Sequence, residues 1–150
     1  MEAVKEVIDQ AAALVKRFEE FRATRYWDVN GWAIGYGTHM ENPPVRISRE
    51  EAEKLMRQHL ESLHSRLRRE IKGDLKPHQW AAILSWAYNV GVGNALRSKL
   101  LRYVKEGKLD LASQQFDRWV YVKGQIQPGL VRRRAIERAV FEGREVHSGD

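Results

Sequence analysis

The sequence predicts a mainly helical α+β fold, and three observations carry that reading. Apolar residues recur at three- and four-residue spacings through most of the chain. One stretch, RYWDVNGWAIGYG, alternates aromatic and branched residues around a turn pair in the manner of a β-hairpin. A helix opening at Ser48 runs far enough to span on the order of 35 Å at about 1.5 Å per residue.

Between Val4 and Phe21, Val4, Val7, Ile8, Ala11, Leu14, Val15 and Phe18 line one face of a helix expected to end near Arg22. The hairpin follows, with Asn30-Gly31 as its favoured turn pair, and Gly35 and Gly37 suggest a tightly turning backbone. Ser48-Arg49-Glu50-Glu51 fits a capping box, with Ser48 as the cap and Glu51 reaching back. Leu55, Met56, Leu60, Leu63, Leu67 and Ile71 then form one apolar stripe that Gly73 can stop. Pro77 suits the first turn of the next helix, through Trp80, Ile83, Leu84, Ala87 and Tyr88, which ends before Gly91 and Gly93. Shorter helical patterns lie at Leu96 to Lys105, Leu109 to Trp119 and Val131 to Phe141, and the polar tail EGREVHSGD is expected to fray.

At 150 residues the chain suits one domain with a real core. A hydrophobic share of 43% beside a charged share of 31% argues against disorder and against a membrane protein, and no apolar run reaches the length of a span. Charged residues interrupt the N-terminal segment MEAVKEVIDQ, so a secretory signal peptide is not expected. The lack of cysteine excludes disulfides and thiolate chemistry. A net charge of +6 fits a polyanionic partner, whether nucleic acid, anionic membrane or anionic cell wall, and equally a solubilising surface.

The adjacent Glu19 and Glu20 differ by about 100° around a helix axis and cannot share a face. Glu19 falls on the edge of the apolar stripe, four residues after Val15, while Glu20 points to solvent. Partial desolvation and the negative end of the helix dipole both favour a protonated carboxyl, which makes Glu19 the candidate general acid. Asp28, at the start of the hairpin turn, is placed to meet backbone donors and stay ionised, which offers the second carboxylate that glycoside hydrolysis generally needs. Ordinary roles for both, as a turn aspartate and an exposed helix-end glutamate, stay open at this point.

These residues resemble the active-site motif of the bacteriophage-type lysozymes, the endolysins that cleave peptidoglycan: a Glu, an eight-residue gap, an Asp, and a TIGYGH-like strand. Here Glu19 and Asp28 have that gap and AIGYGTH follows. Family-like segments continue in order as AAILSWAYNVG, SKLL, Arg118-Trp119 and GLVRRR, so that the resemblance covers Leu14 to Phe141. It implies a lysozyme-like fold in two lobes, with a small β-containing lobe at about 22–47, a connecting helix at about 49–72, and a helical lobe at about 74–143 joined by the N-terminal helix at about 3–21, all in a single domain over 1–150.

The resemblance further implies hydrolysis of the β-1,4 bond between N-acetylmuramic acid and N-acetylglucosamine, with Glu19 as general acid and Asp28 positioning water or stabilising the transition state. No metal or cofactor is implied, and His59, His64 and His78 lack a ligand pattern. Tyr88, Asn89 and Ser98 match substrate-binding positions, although a core role for Tyr88 and a helix cap for Ser98 fit as well. One of Arg132, Arg133 and Arg134 is expected to pair with a lobe carboxylate, and Trp119 to fill the helical core. The implied partner is bacterial peptidoglycan, met by a monomer that accumulates in the host cytoplasm without a signal and reaches the wall when another protein opens the membrane. Neither nucleic acid nor stable membrane insertion is expected, since acids interleave the bases along Ser48 to Gly73.

Three departures stand out. Ala33 occupies the place of the family's water-holding threonine, Glu20 replaces a common glycine, and Thr38-His39 inverts the usual order. Ala33 keeps a second reading alive, a non-catalytic peptidoglycan-binding relative.

Overall fold

The computed structural model describes residues 3–144, so the last six residues of the tail expected to fray lie outside the described residues. Helix α1 (Val4–Phe18) leads into β1 (Arg22–Asp28), β2 (Gly31–Gly35) and β3 (Thr38–His39), which form one antiparallel sheet in the order β1-β2-β3. Helix α2 (Arg49–Glu70) follows, then α3 (Pro77–Val90), α4 (Val92–Leu96), α5 (Lys99–Lys105), α6 (Leu109–Gln115) and a 3₁₀ turn at Phe116–Arg118. A second hairpin, β4 (Tyr121–Val122) and β5 (Gln125–Ile126), precedes α7 (Pro128–Phe141).

Two apolar cores make the two lobes. Ile34, Ile47 and Ala52, with Phe21, Tyr36, Met40 and Leu55 around them, form the small one behind the sheet. The large one gathers α1, α2, α3, α5 and α7. Helix α3 is buried from Trp80 through Tyr88 and so runs through the middle of that core. Helix α2 belongs to both, since Ala52 and Leu55 face the sheet while Met56, Leu60, Leu63 and Leu67 enter the helical core. The fold is therefore mainly helical, with two lobes joined by a 22-residue helix.

Local signals explain most of the boundaries. The capping box is formed as expected, with Ser48 Oγ accepting from the Glu51 amide at 3.1 Å and Glu51 Oε1 accepting from the Ser48 amide at 3.0 Å. Helix α3 begins at Pro77 and stops before Gly91. Helix α1, by contrast, ends at Phe18 and not near Arg22, because Glu19 turns extended (φ −97°, ψ 123°) to start the approach to β1. The pattern from Leu96 to Lys105 resolves into two helices broken at Ser98. In the first hairpin the loop is Val29-Asn30, one residue earlier than expected: Asp28 pairs with Gly31, and the positive φ falls on Gly31.

Candidate active site

Glu19 occupies the first residue after α1, where its amide still donates to the Val15 carbonyl at 2.9 Å. Its side chain turns inward, toward the junction of the lobes. Oε2 accepts from Arg133 Nη1 at 2.7 Å, and Oε1 lies against the bare Cα of Gly37, where a Cβ would come within 2.4 Å of it. The surroundings are thus more polar than a place on the edge of an apolar stripe implied. Glu20 is exposed as expected, although it lies beyond the end of α1 and not on a helix face.

Arg133 is itself anchored from below. Its Nε donates to Glu137 Oε2 at 3.1 Å and its Nη2 to the Ser85 carbonyl at 3.0 Å. Glu137 is fully buried and also accepts from Arg134 Nη1 at 2.7 Å and from the Ser85 hydroxyl at 2.6 Å. Burial alone would lower the pKa of Arg133, but the charges of Glu137 and Glu19 outweigh it and the net shift is upward. At Arg134 burial wins over Glu137, and the shift is downward. The GLVRRR cluster therefore supplies two buried cations, and Arg133 is the one that meets a carboxylate of the site.

Asp28 closes β1. Its Oδ1 accepts from the Asn30 amide at 2.7 Å, so the turn supplies the backbone donor expected of it, and His39 Nε2 lies 3.1 and 2.9 Å from the two carboxylate oxygens. Tyr26 relates the two acids. Burial raises its phenol above the ordinary value, and the negative charges of Glu19 and of Asp28 both push it further the same way. One phenol thus feels both carboxylates.

A cleft of about 480 Å³ is walled by Asn30 and His39, the two partners of Asp28, with His59, Ser62, Leu63 and Arg66 from α2 and Tyr88 to Val92 from the end of α3. Neither Glu19 nor Asp28 lines it directly. A second cavity of about 310 Å³ continues past Asn89 toward Trp119, Tyr121 and Lys123. Tyr88 and Asn89 both line the cleft. The Tyr88 hydroxyl donates to the Tyr36 carbonyl at 2.8 Å and receives Thr38 Oγ1 at 2.6 Å, which ties the sheet lobe to α3. Burial is the main cause that pushes this phenol far up. The Asn89 amide oxygen accepts from Arg134 Nη2.

Ser98 lines neither cavity. It caps α5, accepting from the Leu101 amide at 3.0 Å and donating to the Ala95 carbonyl at 2.7 Å. Ala33 is buried in β2 between Tyr26 and His39, and the Thr38 hydroxyl is committed to Tyr88. Trp119 packs on Trp86 at 5.5 Å between ring centres, at the margin of the helical core. Among the described residues no group of three or more His, Asp or Glu side chains is arranged to hold a metal.

The model of the phage lysozyme family matches residues 16–137, a stretch that contains Glu19, Asp28, the cleft and most of α7. The chain belongs to the phage lysozyme family. Among relatives of this lysozyme-family chain, the endolysin of Acyrthosiphon pisum secondary endosymbiont phage 1 is 34% identical over 142 residues, which cover 91% of this chain and 97% of the relative. The endolysin of Bacillus phage PZA is 35% identical over 133 residues, 85% of this chain but 52% of that protein, so the chain spans about half the length of that relative. In three dimensions the chain is similar to the muramidase domain of SpmX from Asticaccaulis excentricus, with a TM-score of 0.78, 31% identity, and coverage of 87% of this chain and 93% of that one. An endolysin from Escherichia coli O157:H7 phage FAHEc1 shares the fold at a TM-score of 0.73 and 23% identity, over 94% of this chain and 93% of that one.

Two functional features escaped the sequence reading. The spacing of Glu137, four residues after Arg133 and three after Arg134, was a readable helical signal for their shared contact. The contact of His39 with Asp28 had no such local signal, because it depends on the register of three strands.

Proposed function

We propose that this chain is a muramidase of the endolysin type, hydrolysing the β-1,4 bond between N-acetylmuramic acid and N-acetylglucosamine in peptidoglycan. The observation that carries the reading is that two carboxylates are each held by a cation or imidazole, Glu19 by Arg133 at 2.7 Å and Asp28 by the cleft-lining His39 at 2.9 Å, in a chain of the phage lysozyme family.

The two acids are held differently, and that difference suits two roles. Glu19 has one oxygen taken by Arg133, so the other, against Gly37, is the one to carry the proton and pass it to the leaving glycosidic oxygen. Asp28 receives hydrogen bonds from Asn30 and His39, which suit an ionised carboxylate that orients water or steadies the positive charge developing on the sugar. The Asn89 side-chain NH2 on the cleft wall offers a donor for an acetamido group, and Tyr88, buried and bonded to Tyr36 and Thr38, backs that wall. Ser98 is spent on the cap of α5 and reaches neither cavity.

The chain acts as a monomer on the wall after release from the host cytoplasm. No helix among the described residues is long and apolar enough to cross a membrane. The test is clearing of a peptidoglycan suspension by the parent, Glu19→Gln and Glu20→Gln at one salt concentration. Clearing by the parent and by Glu20→Gln, with a loss of roughly 10²-fold or more in Glu19→Gln, is the expected result. A folded parent that sediments with the wall without clearing it overturns the reading in favour of a binding relative, the outcome that Ala33 would explain.

A further inference from the structure

We infer that His39 is a positioning residue for Asp28, holding its carboxylate in the one orientation that serves hydrolysis. The inference rests on the glycosidase reading above.

The sheet register brings the two residues together. Tyr26 pairs with Ala33, and Ala33 with His39, so these three side chains share one face of the sheet. Asp28 stands two residues beyond Tyr26 on β1 and lies on that same face. β1 and β3 are the outer strands, roughly 10 Å apart at about 4.8 Å per strand spacing. A side chain from β3 can reach one on β1 only if nothing bulky rises from β2 between them. Ala33 presents a single methyl there and is completely buried. The imidazole passes over it and puts Nε2 2.9 Å from Asp28 Oδ2 and 3.1 Å from Oδ1. The small residue at position 33 and the histidine at 39 are two halves of one arrangement.

The hydrogen-bond inventory shows what the contact does. An ionised carboxylate only accepts, so Nε2 carries the proton. Oδ1 already receives the Asn30 amide at 2.7 Å. Two donors, the hairpin-loop amide of Asn30 and the β3 imidazole of His39, thus fix both the tilt of the carboxylate plane and the rotation about its bond to the chain. His39 lines the cleft, and the pair is about one third exposed on each side chain (31% for His39 and 35% for Asp28), so water reaches the lone pairs that remain. An ion pair this exposed adds little to stability.

The experiment measures kcat and KM on solubilised peptidoglycan strands for the parent, His39→Phe and His39→Gln, each also in the Asp28→Asn background. Phenylalanine keeps the ring without a donor, while the glutamine amide donates at similar reach. We expect His39→Phe to lower kcat by on the order of 10²-fold, the cost of a misplaced reacting group, with KM little changed. His39→Gln should recover most of that loss. In the Asp28→Asn background His39→Phe should cost nothing more, because the residue acts through Asp28. Nitrogen NMR of the parent should find the imidazole proton on Nε2, and Asp28→Asn should change that signal, a readout independent of turnover.

An active parent indifferent to His39→Phe overturns this inference alone, as do losses that add in the Asp28→Asn background or a neutral ring whose one proton sits on Nδ1. An inactive parent overturns the hydrolytic reading first, and any kinetic role for His39 falls with it.

Discussion

The guanidinium of Arg133 donates to the carboxylate of Glu19 at 2.7 Å, across 114 residues of chain. The contact joins the end of the first helix to the middle of the last. Its geometry depends on a residue that never touches the cleft, since Glu137 holds Arg133 by its Nε and Arg134 by its Nη1. The candidate acid is thus positioned by a buried network of two cations, one anion and the Ser85 hydroxyl.

Substituting Glu137→Gln should therefore damage both stability and activity. It removes the negative charge that pairs with both arginines in the core, and breaking a buried pair by removing one partner typically costs about 3 to 5 kcal/mol. In a chain of this size that corresponds to a fall in melting temperature on the order of 10 °C. Arg133 should also move, so wall-clearing activity should drop even at temperatures where the variant is folded. Thermal unfolding and clearing rate, measured together, check this; a variant as stable as the parent would mean that water or Ser85 satisfies the arginines.

Gly37 gives a sharper probe of Glu19. Its φ of +72° is strained for any residue with a Cβ, at roughly 1–2 kcal/mol, and the added atom would meet Glu19 Oε1 at 2.4 Å and its Cδ at 3.0 Å. Gly124 has a similar φ of +79° with nothing within 4 Å of the added position. Gly124→Ala should lose only the stability that the φ strain costs, while Gly37→Ala should lose more and should also lose activity, by on the order of 10²-fold through displacement of the carboxylate. Equal activity in the two variants would show that Glu19 has room to yield, and that its present place is not what catalysis uses.

Local chemistry made much of the fold legible. The capping box at Ser48 and Glu51, the proline start at Pro77 and the stripe along α2 are decided by residues within one or two helical turns of each other. The end of α1 was misplaced because Phe21 prolongs the apolar pattern, yet that side chain packs in the sheet lobe's core. The second hairpin went unread because its strands are two residues each; its signal was Lys123-Gly124, both with positive φ, between Tyr121-Val122 and Gln125-Ile126. At the site, the expected contrast of an inward Glu19 and an exposed Glu20 holds, but helical angle is not its cause, because both residues follow the end of α1. The partners of Glu19 and Asp28 were harder, because Arg133 arrives from the far end of the chain and His39 across an intervening strand. Such contacts are written in the register and packing, where one sequence window holds no trace of them.

His59 makes the pH response of the cleft testable. It stands partly buried on the cleft wall of α2, edge-on to Tyr88 at 5.2 Å between ring centres. Burial lowers its pKa below the ordinary 6.5, and the nearby His39 lowers it further. The folded state therefore binds this proton less readily than the unfolded state. Above the unfolded value both states carry a neutral ring and the stability is fully present; it is lost as pH falls from there through the folded value, where the unfolded chain takes up the proton first. His59→Gln removes this contribution. Urea unfolding at about pH 8 and about pH 5 should show the parent losing more stability than the variant over that interval. Other groups titrate in both proteins, so the difference between them isolates the ring. A difference that stays constant with pH would mean that His59 reaches water freely enough to protonate in the folded cleft.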